Sequence, residues 1–500
     1  MTSQAATVNH PHTARQASLT GAHAQHPITS PVGSEGARFM QHRPSQDDPN
    51  RFYAREGVDP LSQAFPGKIA VHPGMGGRPV PRAEMGAILE GLSAQPRSGR
   101  GVVYVNVPFC ETHCLYCGFY KNPYRPEHSP AFVDALISEL RLWHGRPAQD
   151  EGPLHAVYLG GGTPTALEPA DLKRLLLALR EYLPLANDCE ITVEGRTSNL
   201  TPERIEAALA GGANRFSLGV QSFNTKIRQA MGRRSSREEL LERISLLQSY
   251  DQAAILVDLI YGLPMQGLEE WLDDIRTAQS LNLDGADCYQ LNIYKTSLLA
   301  AAIEQGRFPA GADLAGQSRL FAAGVEAMQA SFYRRLSISH WGRTPRERNL
   351  YNQYVKGNAD CLAFGPGAGG NLFGHFYFNQ PDYAAWLAQL KAGMAAGEKP
   401  VAMLQAPKRH GRLFRAVAED LEQGRIDVAA LENAFEIKLE ERLAPLLAQW
   451  ERAGLVERVE KVETQEKHAG GWRLTLAGQF WQVNLAQLLI EFLNHCLQES

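Results

Sequence analysis

The sequence lacks any apolar run of the roughly 20 residues that a membrane-spanning helix needs. It also lacks a basic surplus, since 50 Lys and Arg stand against 54 Asp and Glu, for a net charge of −4. A protein that binds nucleic acid needs a concentrated basic face. The N-terminus has neither the basic start nor the apolar core of a secretory signal. We therefore expect no membrane span, no nucleic-acid partner and no secretion.

Cysteine is too sparsely and unevenly placed to build a disulfide framework. The chain has seven cysteines, an odd number, whereas disulfide-rich domains carry an even set. Free thiols are typical of a reducing compartment, so we expect a cytoplasmic protein. Scattered single cysteines are usually small buried side chains, and we expect this of Cys189, Cys288, Cys361 and Cys496.

The 500-residue chain is long enough for one large domain and smaller ones. Residues 1–50 are rich in His, Gln, Ser, Thr and Pro and predict a disordered tail. Residues 51–100 are less polar, and we expect them to pack on the core as a leader segment. Residues 101–395 should form the main domain with its extension, and residues 396–500 a helical, winged-helix-like domain.

In the main domain, short β-branched runs alternate with segments of helical periodicity. In the segment PAFVDALISELRLW, for example, Phe132, Leu136 and Leu140 recur on one helix face. Such alternation predicts βαβ units and an α/β fold with a parallel sheet, as a partial barrel or a doubly wound sheet. The predicted strands are residues 102–108, 155–160, 190–195, 214–220, 255–262 and 288–294, and the predicted helices include 169–182, 202–210, 237–249, 268–280 and 315–330.

Polar or glycine features recur at or just past the ends of these predicted strands. In parallel sheets and barrels, ligands bind at the carboxyl ends of the strands. The sequence therefore predicts a ligand site at this edge. Its features are a cysteine loop after the first strand, GGGTPT (160–165) after the second, and then Glu194, Gln221, Asp258 and Asn292.

The cysteine loop lies in VYVNVPFCETHCLYCGFY, residues 103–120, and carries Cys110, Cys114 and Cys117. Structural zinc sites are usually closed by four Cys or His ligands, and no second Cys-x-x-Cys exists here. His113 would complete a set, but four ligands would be cramped in so short a span. Iron–sulfur clusters are also held by thiolates, and three thiolates on a four-iron cluster leave one iron open.

This loop resembles the signature of the radical S-adenosylmethionine (SAM) superfamily. The shared features are Cys-x3-Cys-x2-Cys, the aromatic Tyr116 before its last cysteine, and GGGTP in the next unit. The resemblance implies a 4Fe–4S cluster on Cys110, Cys114 and Cys117. It also implies SAM, whose amino and carboxylate groups bind the open iron. One electron from the cluster then cleaves SAM to methionine and a 5′-deoxyadenosyl radical.

A narrower resemblance begins near residue 100 and runs to the C-terminus. The motifs YVNVPFC, GGGTPT, RFSLGVQSF, DLIYGLP and FGPGAGG are similar to those of the coproporphyrinogen-oxidase-like branch. This resemblance implies a partial (β/α)6 barrel with a C-terminal helical, winged-helix-like domain. The cofactor contacts that it implies are Tyr104, Tyr116, Gly161, Gly162, Thr163, Glu194, Gln221, Arg233, Asp258 and Asn292.

Within that branch, three features of the sequence distinguish the chain from the coproporphyrinogen oxidase and the heme chaperone. Phe119 stands where the coproporphyrinogen oxidase carries a fourth cysteine, and RERNLYNQY (346–354) replaces a His-Asn…Tyr-Trp motif of the heme chaperone. The leader DPLSQAFPGKIAVHPGMGGRPV resembles the anaerobic heme-degrading radical SAM methyltransferase family (ChuW/HutW). That resemblance implies methyl transfer to heme from a second SAM molecule, porphyrin opening and iron release. The alternatives are a radical SAM heme chaperone and an oxygen-independent coproporphyrinogen III oxidase.

The resemblance also implies partners: heme as substrate, and a flavodoxin-like or other low-potential electron donor. The sequence itself says little about how heme is held. His72, His340 and His375 are candidate axial ligands, although an isolated histidine is more often structural. Because a guanidinium matches a carboxylate, Arg334, Arg346 and Arg348 are candidate propionate partners, with a solvated charge cluster as the ordinary alternative.

Overall fold

The computed structural model describes residues 49–69, 77–119, 122–459 and 471–498. Residues 1–48 of the predicted disordered tail lie outside this range, and so does the candidate heme ligand His72. None of the helices in these four stretches has the length and apolar character that crossing a membrane requires.

The strands and helices alternate through most of the described chain. The strands are β1 Arg78–Pro79, β2 Gly101–Val107, β3 Phe109–Cys110, β4 Asn122–Pro123, β5 Leu154–Gly161, β6 Leu185–Gly195, β7 Arg215–Gln221, β8 Ala254–Tyr261, β9 Gly285–Gln290, β10 Arg334–Arg335, β11 His340–Gly342, β12 Asp360–Phe364, β13 Gly369–Leu372, β14 His375–Asn379, β15 Val401–Ala406, β16 Arg425–Ile426, β17 Val456–Val459 and β18 Gly471–Leu474.

The helices are α1 Pro60–Gln63, α2 Arg82–Ser93, α3 His128–Leu142, α4 Pro147–Asp150, α5 Pro169–Tyr182, α6 Pro202–Gly211, α7 Thr225–Ala230, α8 Arg237–Ser249, α9 Leu268–Ser280, α10 Leu298–Glu304, α11 Leu314–Ala330, α12 Leu350–Lys356, α13 Tyr383–Gly393, α14 Gly411–Glu422, α15 Val428–Phe435, α16 Glu440–Arg452, α17 Leu476–Phe480 and α18 Gln482–Gln498. The predicted helices and the predicted strands of the main domain are all present, within a few residues of their expected ends.

The main sheet has thirteen strands in the order β1-β15-β14-β13-β12-β2-β5-β6-β7-β8-β9-β11-β10. Strands β12, β2 and β5 to β9 run parallel, and the flanking strands are antiparallel. Six of the parallel strands were predicted. Strand β12 was not, because it pairs with β2, more than 250 residues earlier, and no local pattern records that pairing.

Alternation along β2 shows why this sheet has two different faces. Val103, Val105 and Val107 have no exposed surface and pack in the main core with Leu136 of α3. Tyr104, between them, is only half-buried and points to the other face. The helices α3, α5, α6, α8 and α9 connect the parallel strands, and their buried residues pack with the strands in the main core. The opposite face of the sheet, to which Tyr104 points, is the inner face, and it is consequently free to carry polar side chains.

The leader segment packs on the C-terminal helices. Trp450 Nε1 donates to Phe52 O at 3.0 Å, and Trp481 Nε1 donates to Pro60 O at 2.9 Å. The C-terminal part holds a small antiparallel sheet, in the order β16-β18-β17, together with α14 to α18. Strand β18 ends at Leu474, since Thr475 caps α17 by accepting from Gly478 N.

Candidate active site

The three cysteines lie on the loop that follows β2, at the carboxyl edge of the parallel strands. Cys110 ends the short strand β3, and both Cys110 and Cys114 are buried, while Cys117 is half-buried. Two backbone hydrogen bonds fix the loop between its neighbours: Leu115 N donates to Met231 O at 3.1 Å, and Leu299 N donates to Leu115 O at 2.8 Å. The loop is therefore held in place by the segment after α7 and the start of α10.

The chemistry of this donor set suits an iron–sulfur cluster. Burial raises the pKa of the Cys110 thiol, and the nearby thiols of Cys117 and Cys114 raise it further, whereas Thr163 and the charge of Arg196 lower it. The Thr163 hydroxyl donates to Cys110 Sγ at 3.4 Å, a contact that lowers electron density on the sulfur. In the described stretches, no group of three or more His, Cys, Asp or Glu side chains is close enough together to hold a single metal ion.

The glycine turn at the end of β5 is pressed against the cysteine loop. Gly161 has a φ of 98°, in the left-handed region that favours glycine. A Cβ on Gly161 would overlap the Asn106 side chain, and one on Gly162 would overlap the backbone of Phe109. Thr163 N donates to Phe109 O at 2.8 Å. The turn thus needs glycine in order to leave open backbone beside the cysteines.

Two half-buried carboxylates lie on the inner face beside this turn. Glu194 on β6 accepts from the Tyr158 hydroxyl at 2.7 Å, and Asp258 on β8 accepts from the Ser217 hydroxyl at 3.1 Å. Burial raises the pKa of both, and the negative charges of Asp287 and Glu194 help raise that of Asp258 to about 7. Acidic groups this close together would be stabilised by a cationic ligand.

Arg233 connects the cysteine loop to the end of β7. Its Nε donates to the Tyr116 hydroxyl at 3.2 Å, and its Nη1 donates to Gly219 O at 2.6 Å. Burial alone would lower the pKa of Arg233, but Tyr116 and Cys114 outweigh it, and the guanidinium stays charged. Gln221, the last residue of β7, has a φ of 71°. Arg233 is thus positioned to meet an anionic group at the same edge.

The other predicted cofactor contacts fall on the same edge or just below it. Asn292 lies two residues beyond the end of β9 and is half-buried. Tyr104 lies deeper on the inner face, where its ring stacks on Tyr158 with centroids 6.4 Å apart and on Tyr351 at 6.0 Å. The structure therefore places the predicted residues at the carboxyl ends of their strands, with Tyr104 deeper on the inner face of β2.

Asn106 is a site residue that the sequence reasoning missed. Its Nδ2 donates to Pro366 O at 2.6 Å, and its Oδ1 accepts from the Tyr104 hydroxyl at 3.3 Å. It thereby holds the FGPGAGG turn against β2, beside Gly161. Its place two residues after Tyr104 on the same strand face was the available signal.

A buried ion network, also missed, lies below the carboxylates on the inner face. Arg215 Nε donates to Glu347 Oε2 at 2.9 Å, and His340 Nε2 lies 2.9 Å from Glu347 Oε1. His340 Nδ1 lies 2.8 Å from Asp287 Oδ1. Both ring nitrogens of His340 therefore face carboxylates, an arrangement that favours the structural role over the alternative of a heme ligand.

The other candidate heme contacts are also placed away from the cysteines. Arg346 is paired with Asp251 at 2.8 Å, and Arg348 with Asp188 at 3.0 Å, at the amino ends of β8 and β6. Arg334 lies on the edge strand β10, and His375 is half-buried on the antiparallel strand β14. Because the carboxyl ends of the parallel strands carry the site, the structure gives no support to these four assignments.

The fold and the site define the class of protein: an iron–sulfur enzyme built on parallel strands, with a three-cysteine loop at their carboxyl edge. The Radical SAM superfamily matches residues 104–278. Anaerobilin synthase of Escherichia coli O157:H7 is 39% identical over 435 residues, which cover 86% of this chain and 93% of that protein. The chain belongs to the radical SAM superfamily and, within it, to the family of this synthase. Its cofactors are accordingly a 4Fe–4S cluster and SAM.

Two further comparisons agree on the branch and the fold. An oxygen-independent coproporphyrinogen III oxidase of Bradyrhizobium diazoefficiens is 27% identical over 387 residues, covering 74% of this chain and 84% of that protein. The solved coproporphyrinogen III oxidase (HemN) of Escherichia coli superposes with a TM-score of 0.67 at 22% identity, over 80% of this chain and 92% of that one. The structural likeness confirms the predicted α/β fold with a parallel core.

Proposed function

We propose that this protein degrades heme in the absence of oxygen, as a radical SAM methyltransferase that opens the porphyrin ring and releases iron. The observation that carries this proposal is the 39% identity to anaerobilin synthase over 86% of the chain. The identity to the coproporphyrinogen oxidase of Bradyrhizobium is lower, at 27%, and Phe119 occupies the position of that enzyme's fourth cysteine. Both facts favour heme degradation over decarboxylation.

In this proposal, Cys110, Cys114 and Cys117 hold the cluster. The cluster and SAM, when bound, supply the one-electron chemistry that starts methyl transfer. The chain's own residues position these groups and exclude water. The proposed cofactor contacts are Tyr104, Tyr116, Gly161, Gly162, Thr163, Glu194, Gln221, Arg233, Asp258 and Asn292.

The charges around the site fit the two ends of SAM. Glu194 and Asp258 offer carboxylates to its ribose hydroxyls and cationic groups, and Arg233 offers a guanidinium to its carboxylate. The glycine turn leaves backbone at which a ligand can approach closely. Arg233 also donates to Tyr116 and Gly219, so it already has a fixed orientation before the ligand arrives.

An apolar rim supports a large, flat, hydrophobic substrate. Phe119, which follows the cysteine loop, is 71% exposed, and Met265, after β8, is 49% exposed. Leu268, Tyr289 and Leu298 are also exposed, and all five lie at or beyond the carboxyl ends of parallel strands. Exposed apolar side chains gathered around one site are typical of a binding surface. A porphyrin ring matches this chemistry.

The proposal extends to architecture and setting. Residues 101–395 form a partial (β/α)6 radical SAM barrel with its extension, residues 396–500 a winged-helix-like domain, and residues 51–100 the packed leader. The reductant is a flavodoxin-like or other low-potential donor. The described cysteines are all free thiols, in keeping with a cytoplasmic location.

The test is an anaerobic assay of the cluster-reconstituted protein with heme, SAM and a low-potential reductant. We expect the heme absorbance to disappear while iron and a methylated linear tetrapyrrole appear.

In the same assay, Phe119→Ser should raise the heme concentration that gives half-maximal rate several-fold. Its matched control is Phe332→Ser, since Phe332 is 93% exposed but follows α11 at the opposite edge.

Three other outcomes would contradict the proposal. Unchanged heme absorbance while SAM is cleaved would exclude heme degradation. Stoichiometric transfer of intact heme to an apo-acceptor would indicate a chaperone, and vinyl products from coproporphyrinogen would indicate the oxidase.

We expect Asp258→Asn to weaken SAM binding by about tenfold or more, because a hydrogen bond to a charged group contributes about 1.5–3 kcal/mol. Burial and neighbouring carboxylates raise the pKa of Asp258 to about 7. The carboxylate therefore becomes charged as the pH rises through 7, and affinity for cationic SAM should increase from pH 6 to pH 8.

Anaerobic calorimetry at several pH values measures this effect. The Asp258→Asn variant should show a flatter pH profile than the unaltered protein. The control is Asp273→Asn, since Asp273 is a surface carboxylate of α9 paired with Arg237. Equal affinity and an unchanged profile in Asp258→Asn would remove Asp258 from the SAM site.

A further inference from the structure

Arg196 is a half-buried cation fastened to the cysteine loop. Its Nη1 donates to Thr112 Oγ1 at 2.5 Å, and Thr112 lies two residues from both Cys110 and Cys114. Its backbone N–H donates to Thr165 Oγ1 at 3.3 Å, just beyond the glycine turn. The guanidinium is thereby held between the end of β6 and the middle of the loop.

The positive charge of Arg196 is not neutralised by a nearby acid. Within the described part of the chain, no carboxylate lies within 4.0 Å of its guanidinium, whereas Arg237 and Arg174 each pair with an aspartate at 2.8 Å. The acidic neighbour in the loop, Glu111, accepts instead from Asn199 Nδ2 at 2.8 Å. Arg196 therefore presents its positive charge to the middle of the cysteine loop, where its hydrogen-bond partner Thr112 lies between Cys110 and Cys114.

A cluster held by three thiolates becomes more negative by one charge when it accepts an electron. A fixed cation nearby stabilises the reduced form more than the oxidised form, especially where water is partly excluded. Net charge, hydrogen bonds to sulfur and exposure are the factors that set cluster potentials. We infer that Arg196 tunes the cluster, raising its reduction potential so that an external one-electron donor can reduce it.

This role goes beyond heme degradation, because it concerns electron entry and holds for any substrate. The step is the transfer of one electron from a low-potential donor protein to the oxidised cluster. No bond is made or broken and no proton is required. Arg196 acts through its charge, and Thr112 acts by fixing the position of that charge.

The experiment is an anaerobic redox titration of the reconstituted protein, followed by the electron paramagnetic resonance signal of the reduced cluster. In Arg196→Gln, we expect the ratio of reduced to oxidised cluster at a fixed potential to fall about tenfold. For one electron, tenfold corresponds to a negative shift of 59 mV in the midpoint. Arg196→Lys, which keeps the charge, should stay nearer the unaltered protein. Arg174→Gln, the same substitution at a distant surface ion pair, should not change the midpoint.

An unchanged midpoint in Arg196→Gln, with full iron and sulfide content, would overturn the inference. If that variant fails to assemble a cluster, Thr112→Val replaces it in the test, and its midpoint should also fall because the guanidinium is released from the loop. If neither variant assembles a cluster, Arg196 is a structural part of the loop and the inference is wrong. Absence of a cluster in the unaltered protein would instead contradict the proposed function.

Discussion

Cys114→Ala is expected to yield a colourless protein without cluster and without turnover. Cys114 is 2% exposed and is flanked by both contacts that fix the loop, through Leu115 to Met231 and to Leu299. The loop offers only three thiolates in total, so two would remain. Iron and sulfide content and the visible absorption of anaerobically reconstituted protein measure the loss, which should be complete within error.

The matched control is Cys189→Ala. Cys189 is nearly as buried as Cys110 and Cys114, at 5% exposed, but it lies on the amino half of β6, away from the carboxyl edge. This variant should keep the brown chromophore. A full iron content in Cys114→Ala, or a colourless unaltered protein that contains zinc, would contradict the assignment of the loop.

Glu347→Ala is expected to cost about 3–5 kcal/mol of unfolding free energy, the usual effect of breaking a buried ion pair. Arg215 is 2% exposed and His340 is 1% exposed, and both meet Glu347 at 2.9 Å. Removing the carboxylate would leave the Arg215 charge buried without its partner. Urea denaturation followed by tryptophan fluorescence measures the loss.

The pH dependence of this effect follows from two shifted groups. Burial raises the pKa of Glu347, but Arg215 and His340 outweigh it and lower the pKa to about 2. Burial lowers the pKa of His340, but Asp287 and Glu347 outweigh it and raise the pKa to about 9. Contributions from both charges are complete between pH 4.5 and 6.5, the ordinary values of the two groups. The difference in unfolding free energy between the unaltered protein and Glu347→Ala should therefore shrink as the pH rises towards 9 or falls towards 2.

An exposed ion pair provides the control. Glu269, which is on α9 and 82% exposed, lies 3.6 Å from Arg276. Exposed pairs contribute little, so Glu269→Ala should stay within about 0.5 kcal/mol of the unaltered protein. A loss of that size in Glu347→Ala as well would mean that the network adds nothing to stability.

Local sequence predicted much of the fold and of the site at the carboxyl edge of the parallel strands. The parallel strands β2 and β5 to β9 were predicted from short β-branched runs between helical segments. Because those strands run parallel, their ends had to meet at one edge, and Glu194 and Asp258 could be placed together without coordinates. The spacing of the three cysteines left an iron–sulfur cluster and zinc as alternatives, and the resemblance to the radical SAM superfamily supplied the cluster and the role of the glycine turn.

The candidate heme contacts were left open by the sequence, with a structural or solvated role as the ordinary reading, and the structure shows such a role for three of them. His340, Arg346 and Arg348 were chosen by residue type, and a residue type does not reveal its partner. Arg346 and Arg348 are occupied by Asp251 and Asp188, each about a hundred residues or more away in sequence. The ion network of His340 could not be predicted for the same reason. Its partner Glu347 is shared with Arg215, which lies 132 residues earlier in the sequence.

The sequence by itself determined the parallel strands, the cysteine loop and the ligand edge, because periodicity, glycine and spacing act over a few neighbouring residues. Only the tertiary structure decided the place of β12, the burial of Glu347 between Arg215 and His340, and the attachment of Arg196 to Thr112. Each of these depends on which distant side chains lose water together. A buried charge is stable only where its partner is brought to it, and that choice belongs to the whole fold.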